Sequence, residues 1–360
     1  MKRIRVKFCE FGKKDEENKN AYAYFLNKIL QKYYKVEISE KPDYLFYGGS
    51  SFDYLKYDCI KIFYTGENIS PNFNLCDYAI GFDYLTFEDR YFRFPLYLAA
   101  VFYNEGELSL AGDDYLNKQD VFTKENLKNK KDFCSFVYSN YLSDDSRRFF
   151  FEKLNKYKKV NSGGAYLNNI GYRVVNKLEF ELKHKFSIAF ENTSRSGYTT
   201  EKIVSSLVAK TIPIYWGNPK INKEFNEKRF INCHNYCSFD DVVKRVIEID
   251  KNDNLYLDII NNPLKAENYD FGEVRKNFEI FLRNIIDQPL KSTRRRTENS
   301  AIISGLEENE KYLAKFNEKR ARKRKMLSKI YQPFKKIKFI ENLKHKYFKK
   351  NINKNARNEA

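Results

Sequence analysis

The chain has 360 residues, of which 42% are hydrophobic and 17% aromatic, and its formal net charge at pH 7 is +18. This length predicts a folded protein of about two domains, each with its own core. No apolar run approaches the ~20 residues of a membrane-spanning helix. The first residues lead into an amphipathic strand rather than an apolar signal core, so we expect a cytoplasmic protein body.

The six cysteines and three histidines are scattered along the chain. Only Cys233, His234 and Cys237 are closely spaced, and no second pair accompanies them, so we do not expect a zinc site. We expect reduced, mostly buried thiols. With so few histidines, acid–base chemistry is expected from carboxylates.

Apolar segments predict an open α/β domain at the amino-terminal end. Residues 2–9 predict a strand, 21–34 a helix, and 44–47 and 59–64 two further parallel strands. Glu67 follows the last of these strands, at the sheet edge where ligands bind in such folds. From the residues alone, Glu67 is either a functional carboxylate or one that caps a turn or pairs with a lysine.

Residues 104–131 show a change of composition, which predicts an interdomain linker and acceptor-side loops. Acidic pairs occur at 113–114, 144–145 and 240–241. None follows a convincing strand, so we interpret them as solvated acids and predict no essential divalent metal.

A second α/β domain is predicted to begin with a strand at 133–138. Arg147 and Arg148 then open a helix, where a positive charge opposes the helix dipole unless an anion binds there. The guanidinium fork suits a phosphate. The turn at 162–164 lacks a flanking strand and the Lys-Ser/Thr of a phosphate loop, so we assign it a structural role.

The segment 186–219 predicts a strand, a loop, a helix and a second strand. The strands span 186–190 and 211–216, and Thr199 or Thr200 caps the helix between them. This order predicts a right-handed parallel crossover, in which ligands lie at strand carboxyl ends and helix amino termini. The polar residues at that place are Glu191, Asn192, Arg195, Tyr198, Glu201 and Lys202.

This loop has the features of a nucleotide-diphosphate site. The helix start offers unpaired N–H groups, Lys202 offers a charge for a pyrophosphate, and Glu201 can accept hydrogen bonds from ribose hydroxyls. The alternative is that Glu201 and Lys202 form only a solvated first turn.

Two blocks of residues carry a resemblance to a known family. The first block is Phe190-Glu191-Asn192, Tyr198, Thr200-Glu201-Lys202 and Thr211-Ile212-Pro213-Ile214-Tyr215-Trp216-Gly217. The second is Phe63-Tyr64-Thr65-Gly66-Glu67-Asn68, Pro71-Asn72-Phe73 and Asp77-Tyr78-Ala79-Ile80-Gly81-Phe82. Together they resemble motifs of the bacterial α-1,3/α-1,4-fucosyltransferase family, and the resemblance covers roughly residues 1–285.

The resemblance implies an α/β fold of the GT-B type, in which two Rossmann-like domains face a cleft. The amino-terminal domain would hold the acceptor and the carboxyl-terminal domain GDP-fucose. Glu67 would be the catalytic base, and Arg147 rather than Arg148 would contact the donor pyrophosphate. Asn192 and Tyr198 would help to hold the nucleotide sugar.

Two further expectations concern charged side chains in these motifs. Phe63, Tyr64 and Phe73 are close to Glu67 in sequence, and a partly desolvated carboxylate among them would have a raised pKa. Arg195 is an extra cation in the donor loop, and it is either a second phosphate contact or an exposed residue.

The implied function is an inverting fucosyltransferase that moves L-fucose from GDP-fucose to N-acetylglucosamine of a LacNAc-type glycan. The implied context is lipopolysaccharide O-antigen and Lewis antigen synthesis. The linkage, α-1,3 or α-1,4, and the oligomeric state stay open. The alternatives are a transferase that uses another nucleotide sugar and, from the +18 charge, a basic nucleic-acid-binding protein.

The predicted domains are 1–130, 132–290, a connector at 291–314 and a basic tail at 315–360. The tail has 17 Lys or Arg and three Glu, a net charge of +14 that leaves +4 for all other residues. Its apolar residues recur every three or four positions, which predicts a basic amphipathic helix on anionic inner-membrane lipids. A disordered tail and a nucleic-acid-binding tail are the alternatives, and we expect no nucleic acid on the folded body.

Overall fold

The computed structural model describes residues 1–9, 21–49, 52–103, 120–141, 143–297 and 301–331. Most of the predicted linker, 104–119, and the tail from 332 onwards lie outside the described residues. The chain divides into two compact units, residues 1–297 and residues 298–360.

The first sheet is formed by the amino-terminal part of the chain. Its strands are β1 (Arg3–Cys9), β2 (Lys35–Ile38), β3 (Tyr44–Tyr47), β4 (Ile60–Tyr64), β5 (Tyr78–Gly81) and β6 (Tyr91–Arg93), and its helices are α1 (Ala21–Tyr33) and α2 (Leu96–Tyr103). Every pairing is parallel, in the order β2-β1-β3-β4-β5-β6. All residues of β3, β4 and β5 are buried, as expected for a parallel sheet covered on both faces.

The second sheet has the order β11-β10-β9-β7-β8 and is also entirely parallel. Its strands are β7 (Asp132–Phe136), β8 (Val160–Ser162), β9 (His184–Phe190), β10 (Ile212–Trp216) and β11 (Ile231–Asn232). Its helices are α3 (Lys124–Lys128), α4 (Ser146–Tyr157), α5 (Lys177–Leu182), α6 (Glu201–Val208), α7 (Phe239–Asp250) and α8 (Asp253–Ile260). Short 3₁₀ turns lie at Asp53–Lys56, Ile221–Lys223, Glu227–Arg229 and Cys233–Asn235.

The predicted crossover is confirmed, because β9, α6 and β10 follow one another and the two strands pair in parallel with Ile188 opposite Ile214. The inner face of α6 explains its position. Ile203, Val204 and Leu207 are fully buried and belong to the same apolar core as residues of the first sheet. This shared core joins the two halves of residues 1–297.

The helices that follow the second sheet are α9 (Phe271–Asp287), α10 (Leu290–Thr293) and α11 (Ala301–Tyr331). The sequence placed α9 with the second domain, but in the structure it packs on the first sheet. The ring of Phe278 stacks on Phe94 at a centroid distance of 4.0 Å. The Tyr78 hydroxyl donates to the Thr293 carbonyl oxygen at 2.8 Å. No helix in the described residues is both long and apolar enough to span a bilayer.

The glycine turn at 162–164 does have a flanking strand, contrary to our sequence interpretation, since β8 runs directly into it. Three residues were too few to be recognised as a strand. A Cβ atom at Gly164 would lie 1.9 Å from the Tyr138 carbonyl oxygen, so only glycine fits this close backbone approach. The turn therefore has a packing role.

Asp77 fastens the segment after α10 to the first sheet. Its carboxylate is fully buried and accepts backbone hydrogen bonds from Lys61 at 2.8 Å, Arg295 at 2.9 Å and Arg296 at 3.1 Å. The Arg296 Nε also lies 3.3 Å from this carboxylate. One buried charge thus joins the amino-terminal strands to residues more than two hundred positions later.

Replacing this carboxylate should destabilise the protein strongly. We expect Asp77→Ala to lower the free energy of unfolding by about 3–5 kcal/mol, because it leaves three backbone N–H groups without their acceptor and removes the buried carboxylate that pairs with the Arg296 guanidinium. Urea unfolding of the full chain measures this. The exposed Asp258 provides the control, and Asp258→Ala should change the free energy of unfolding by less than about 0.5 kcal/mol. A loss below about 1 kcal/mol for Asp77→Ala would contradict this role.

Candidate nucleotide-sugar site

The strand order of the second sheet places its ligand site. The chain goes from β7 outward to β8 and then returns to the other side of β7 as β9, so the order reverses between β7 and β9. Ligands in open parallel sheets bind at the carboxyl ends of strands where this reversal occurs. Arg147 comes from the segment after β7 and Asn192 from the loop after β9, and Arg147 Nη2 donates to Asn192 Oδ1 at 3.0 Å.

Arg147 and Arg148 point in different directions. Arg147 is 1% exposed, and its guanidinium lies 3.9 Å above the Tyr138 ring and donates to the Phe190 carbonyl oxygen at 2.9 Å. Arg148 instead pairs on the surface with Glu152, at 3.1 Å. The structure therefore brings Arg147, and not its neighbour, to the loop after β9.

Glu191 is a fully buried carboxylate at the end of β9. Its two oxygens accept hydrogen bonds from the backbone N–H and the hydroxyl of Thr200, both at 2.7 Å. Lys202 Nζ donates to the same carboxylate at 3.1 Å and to the Thr200 hydroxyl at 2.8 Å. Glu191 thereby fixes the first turn of α6, where an anion would meet the positive end of the helix dipole.

The charges at this helix start keep both neighbouring groups ionised. Burial lowers the pKa of Lys202, but the carboxylates of Glu191 and Glu201 outweigh burial, so the pKa is raised above its usual value. Burial raises the pKa of Glu201, but Lys202 and Lys177 outweigh it, so this pKa is lowered. The Glu201 side chain is 38% exposed, which leaves its carboxylate able to accept hydrogen bonds.

Tyr198 lies where the two halves meet. It is 2% exposed, and its ring packs edge-on against Phe82, from the first half, at a centroid distance of 5.1 Å. Burial, with smaller contributions from the charges of Glu191 and Glu67, raises the pKa of its phenol. A Cβ atom at Gly197, which has φ of +86°, would lie 2.2 Å from the Phe82 carbonyl oxygen. This loop therefore needs glycine to approach the first half.

Glu67 follows β4 and is exposed, which corrects two expectations. Of the three aromatic residues near it in sequence, Phe63 and Tyr64 are buried in the core, because β4 is covered on both faces, and Phe73 is half-buried with its ring against Phe87. In addition, the order of the first sheet reverses between β1 and β3, not beside β4. Glu67 instead lies in the loop whose next residue, Asn68, accepts a hydrogen bond from Arg195 of the second half at 3.1 Å, and its own N–H donates to the Thr65 hydroxyl at 3.0 Å.

Arg195 is not a free surface residue, because its side chain crosses to the first half and binds partners there. Its guanidinium donates to Asn68 Oδ1 at 3.1 Å, to Asp83 Oδ1 at 2.8 Å and to the Ser70 hydroxyl. It also lies 4.9 Å from the centre of the Phe82 ring. All four partners belong to the loops after β4 and β5, so Arg195 links the two halves.

The described residues contain no group of three or more His, Cys, Asp or Glu side chains that could hold a metal ion. Of the closely spaced pair, Cys233 is buried and Cys237 is exposed. His234 stacks on Trp216 at a centroid distance of 6.2 Å, and its Nε2 lies near the backbone of Gly217.

This chain has two parallel α/β halves, and the loops at the carboxyl ends of their strands contact each other. This arrangement is that of the GT-B class of fold. Comparison with known proteins gives the family. A model of the α-(1,3)-fucosyltransferase FucT amino-terminal domain matches residues 6–103, and the carboxyl-terminal model of glycosyltransferase family 10 (fucosyltransferase) matches residues 127–261. The chain belongs to glycosyltransferase family 10, so the predicted family and fold class are confirmed.

Individual relatives agree with the family models. The chain is 37% identical over 306 residues to α-(1,3)-fucosyltransferase FucT of Helicobacter pylori. A crystal structure of an α1,3-fucosyltransferase with GDP-fucose matches 81% of this chain and 93% of its own, with 32% identity and a TM-score of 0.61. A 4-galactosyl-N-acetylglucosaminide 3-α-L-fucosyltransferase 9 of Bos taurus is 28% identical over 137 residues, 37% of each chain.

The match to the Helicobacter pylori protein covers 75% of this chain but 63% of that protein. This chain therefore spans less than two thirds of the length of that relative.

Sequence reasoning assigned no individual role to two residues that organise this site, Glu191 and Tyr138. Glu191 belongs to the motif Phe190-Glu191-Asn192. A glutamate that follows a strand is predicted to be exposed unless its hydrogen-bond partners are known. The Tyr138 hydroxyl accepts from the Phe190 N–H at 2.7 Å and donates to the Ile188 carbonyl oxygen, also at 2.7 Å. The signal for Tyr138 was its position at the end of the predicted strand 133–138.

The buried pair at the start of α6 gives a testable prediction. We expect Glu191→Gln to lower the free energy of unfolding by about 2–4 kcal/mol, because it removes the buried carboxylate that pairs with Lys202 at 3.1 Å and leaves the more exposed Glu201, at 3.7 Å, to offset that charge. Glu152→Gln removes the exposed carboxylate that pairs with Arg148 and should cost less than about 0.5 kcal/mol. Chemical unfolding of both variants measures the difference. Equal stabilities would show that Glu191 does not anchor this turn.

Proposed function

We propose that this protein is an inverting fucosyltransferase that moves L-fucose from GDP-fucose to N-acetylglucosamine of a LacNAc-type glycan, in α-1,3 or α-1,4 linkage. The observation that carries the proposal is the meeting of Arg147, Asn192 and the Glu191-anchored start of α6 at the strand-order reversal of the second sheet. Membership of family 10 and the relative solved with GDP-fucose support the choice of donor.

The donor half would bind the nucleotide sugar through charge and hydrogen bonds. Lys202 supplies a positive charge beside the positive end of the α6 dipole, and Arg147 supplies a planar guanidinium. Among the described residues, the Arg147 Nε has no hydrogen-bond partner and its Nη1 has a contact of 3.4 Å to the Asn140 carbonyl oxygen, so these two nitrogens would be the ones that contact a phosphate. Glu201 would accept hydrogen bonds from ribose hydroxyls, and Asn192 would help to fix the nucleotide sugar.

Glu67 would act as the general base from the opposite rim. Its carboxylate takes the proton of an acceptor hydroxyl while that oxygen attacks the anomeric carbon of fucose, and the bond to the phosphate oxygen breaks on the other face. GDP leaves with the electron pair, and the positive groups of the donor half offset its charge. The anomeric configuration is inverted. We propose that no divalent metal is essential.

The acceptor and cellular context are proposed from kinship. The name of the Bos taurus relative specifies a 4-galactosyl-N-acetylglucosaminide, which supports a LacNAc-type acceptor. We place the reaction in lipopolysaccharide O-antigen and Lewis antigen synthesis, at the cytoplasmic face of the inner membrane.

Incubation of the full chain with radiolabelled GDP-fucose and N-acetyllactosamine tests the proposal. We expect labelled trisaccharide and one GDP released per fucose transferred, and product that keeps forming in excess EDTA. NMR of the product gives the linkage and the anomeric configuration. Transfer from a UDP-sugar but not from GDP-fucose would contradict the donor, and a retained configuration would contradict the mechanism.

The base assignment has its own test. We expect Glu67→Gln to lower kcat by about 10²–10⁴-fold, the range for loss of a general base, while the Kd for GDP changes less than about twofold. The control is Glu88→Gln, since Glu88 is an exposed glutamate in the loop after β5. It should leave kcat unchanged. An unchanged kcat for Glu67→Gln would reject Glu67 as the base.

We also propose that the basic tail, residues 315–360, binds anionic lipids. Of this segment, the structure describes residues 315–331, which belong to α11. Phe316 and Met326 are exposed apolar side chains on this helix, and the segment's net charge is +14. Apolar insertion and about 1 kcal/mol for each basic residue near the surface would together hold the protein at a membrane.

Removing the tail should separate membrane binding from activity. We expect a protein ending at residue 314 to lose binding to phosphatidylglycerol-containing vesicles while its kcat on a soluble acceptor stays within about twofold of the full chain's, because the site residues precede the tail. Vesicle co-sedimentation measures binding, with neutral phosphatidylcholine vesicles as the control. Undiminished binding of the shortened protein to anionic vesicles would reject the tail as the anchor.

A further inference from the structure

The loop that carries Glu67 has little support of its own. Within the described residues, the Glu67 carboxylate makes no hydrogen bond or ion pair, and the side chain is exposed. The local restraints are two hydrogen bonds of the Glu67 backbone: its N–H donates to the Thr65 hydroxyl at 3.0 Å, and its carbonyl oxygen accepts from the Ile69 N–H at 2.8 Å. A base must be held close to its working position, because misplacement by about 1 Å can cost on the order of 10²-fold in rate.

Arg195 supplies external support to this loop. Its guanidinium binds Asn68, the neighbour of Glu67, and the Ser70 hydroxyl two residues further on. The Ser70 hydroxyl donates in turn to Asp83 Oδ2 at 2.8 Å, while Asp83 Oδ1 accepts from Arg195. Arg195, Ser70 and Asp83 are thus each hydrogen-bonded to the other two, and this network holds the loop after β4.

The backbone that carries Arg195 is fixed to the donor half. The Ser194 hydroxyl donates to the Gly217 carbonyl oxygen at 2.9 Å, and the Gly197 N–H donates to Asn218 Oδ1 at 2.8 Å. The Tyr198 N–H donates to the Arg195 carbonyl oxygen at 3.1 Å. The backbone of Arg195 is therefore anchored on one side of the cleft while its side chain holds the other.

We infer that Arg195 is a positioning residue that holds the loop 65–70, and with it Glu67, against the donor loop 192–198. The catalytic part of this inference rests on the proposed role of Glu67 as the base. Arg195 acts through Asn68, Ser70 and Asp83 and does not contact the donor pyrophosphate. We propose this role instead of the two that the sequence suggested for Arg195, a second phosphate contact or an exposed residue.

The Phe82 ring connects the donor loop to the loop 65–70 through shared contacts. Arg195 and Tyr198 both pack on this ring, at 4.9 Å and 5.1 Å from its centre. The ring therefore lies between Tyr198, which is proposed to help hold the nucleotide sugar, and the guanidinium that holds the loop 65–70.

Kinetics of Arg195→Ala, Asp83→Ala and the double variant test the inference. We expect each single variant to lower kcat by about 10–100-fold, with the Kd for GDP within twofold of wild type. The double variant should be no slower than the slower single variant, because both changes break one network. When Arg195→Ala is added to the Glu67→Gln variant, we expect kcat to fall by less than a further factor of two. Arg245, which pairs with Glu248 on the surface of α7, provides the control variant Arg245→Ala.

Two kinetic results would overturn the inference. A tenfold weaker Kd for GDP in Arg195→Ala with an unchanged kcat would make Arg195 a phosphate contact. Losses of kcat that multiply in the double variant would show that Arg195 and Asp83 act independently.

Hydrogen–deuterium exchange gives a readout that does not depend on fucose transfer. We expect amides of residues 65–70 to exchange at least tenfold faster in Arg195→Ala than in wild type, while β7 and β9 stay unchanged. Unchanged exchange would overturn the inference even if the protein is a fucosyltransferase. If wild type transfers no fucose, the proposed function fails, and faster exchange would still support the hold on this loop.

Discussion

The carboxylate of Glu191 is the constraint on which the proposed donor site depends. It lies at the end of β9 without solvent exposure and accepts the backbone N–H and hydroxyl of Thr200 and the ammonium of Lys202. A buried carboxylate needs such partners, since an unpaired charge in this place would cost several kcal/mol. The same contacts fix where α6 begins. The direction of the helix dipole and the place of the Lys202 charge therefore follow from one buried acid.

The site is consequently close to neutral before any ligand binds. Glu191 and Glu201 balance the charges of Lys202 and Arg147, so affinity for a diphosphate cannot come from an excess of cations alone. The positive end of the α6 dipole and the fixed directions of the donors would supply the rest. Pre-organised donors of this kind suit a reaction in which negative charge develops on a leaving phosphate.

The sequence predicted the central crossover well, because β9 and β10 are apolar runs and α6 has a clear helical period. It named no strand at β2, β5, β6, β8 or β11, each of which has four residues or fewer. It could not show that α9 packs on the first sheet, since an amphipathic pattern does not say which sheet receives its apolar face. The burial of Glu191 and the partners of Arg195 depend on contacts between distant segments, so residue patterns gave no access to them.

Isothermal titration of the full chain with GDP-fucose, GDP, UDP and ADP, with and without EDTA, tests the central claim most directly. We predict binding of GDP and GDP-fucose that is unchanged by EDTA and at least tenfold tighter than the binding of UDP or ADP. Preference for UDP, or no binding of guanine nucleotides, would contradict the claim that the loop between β9 and α6 holds GDP-fucose.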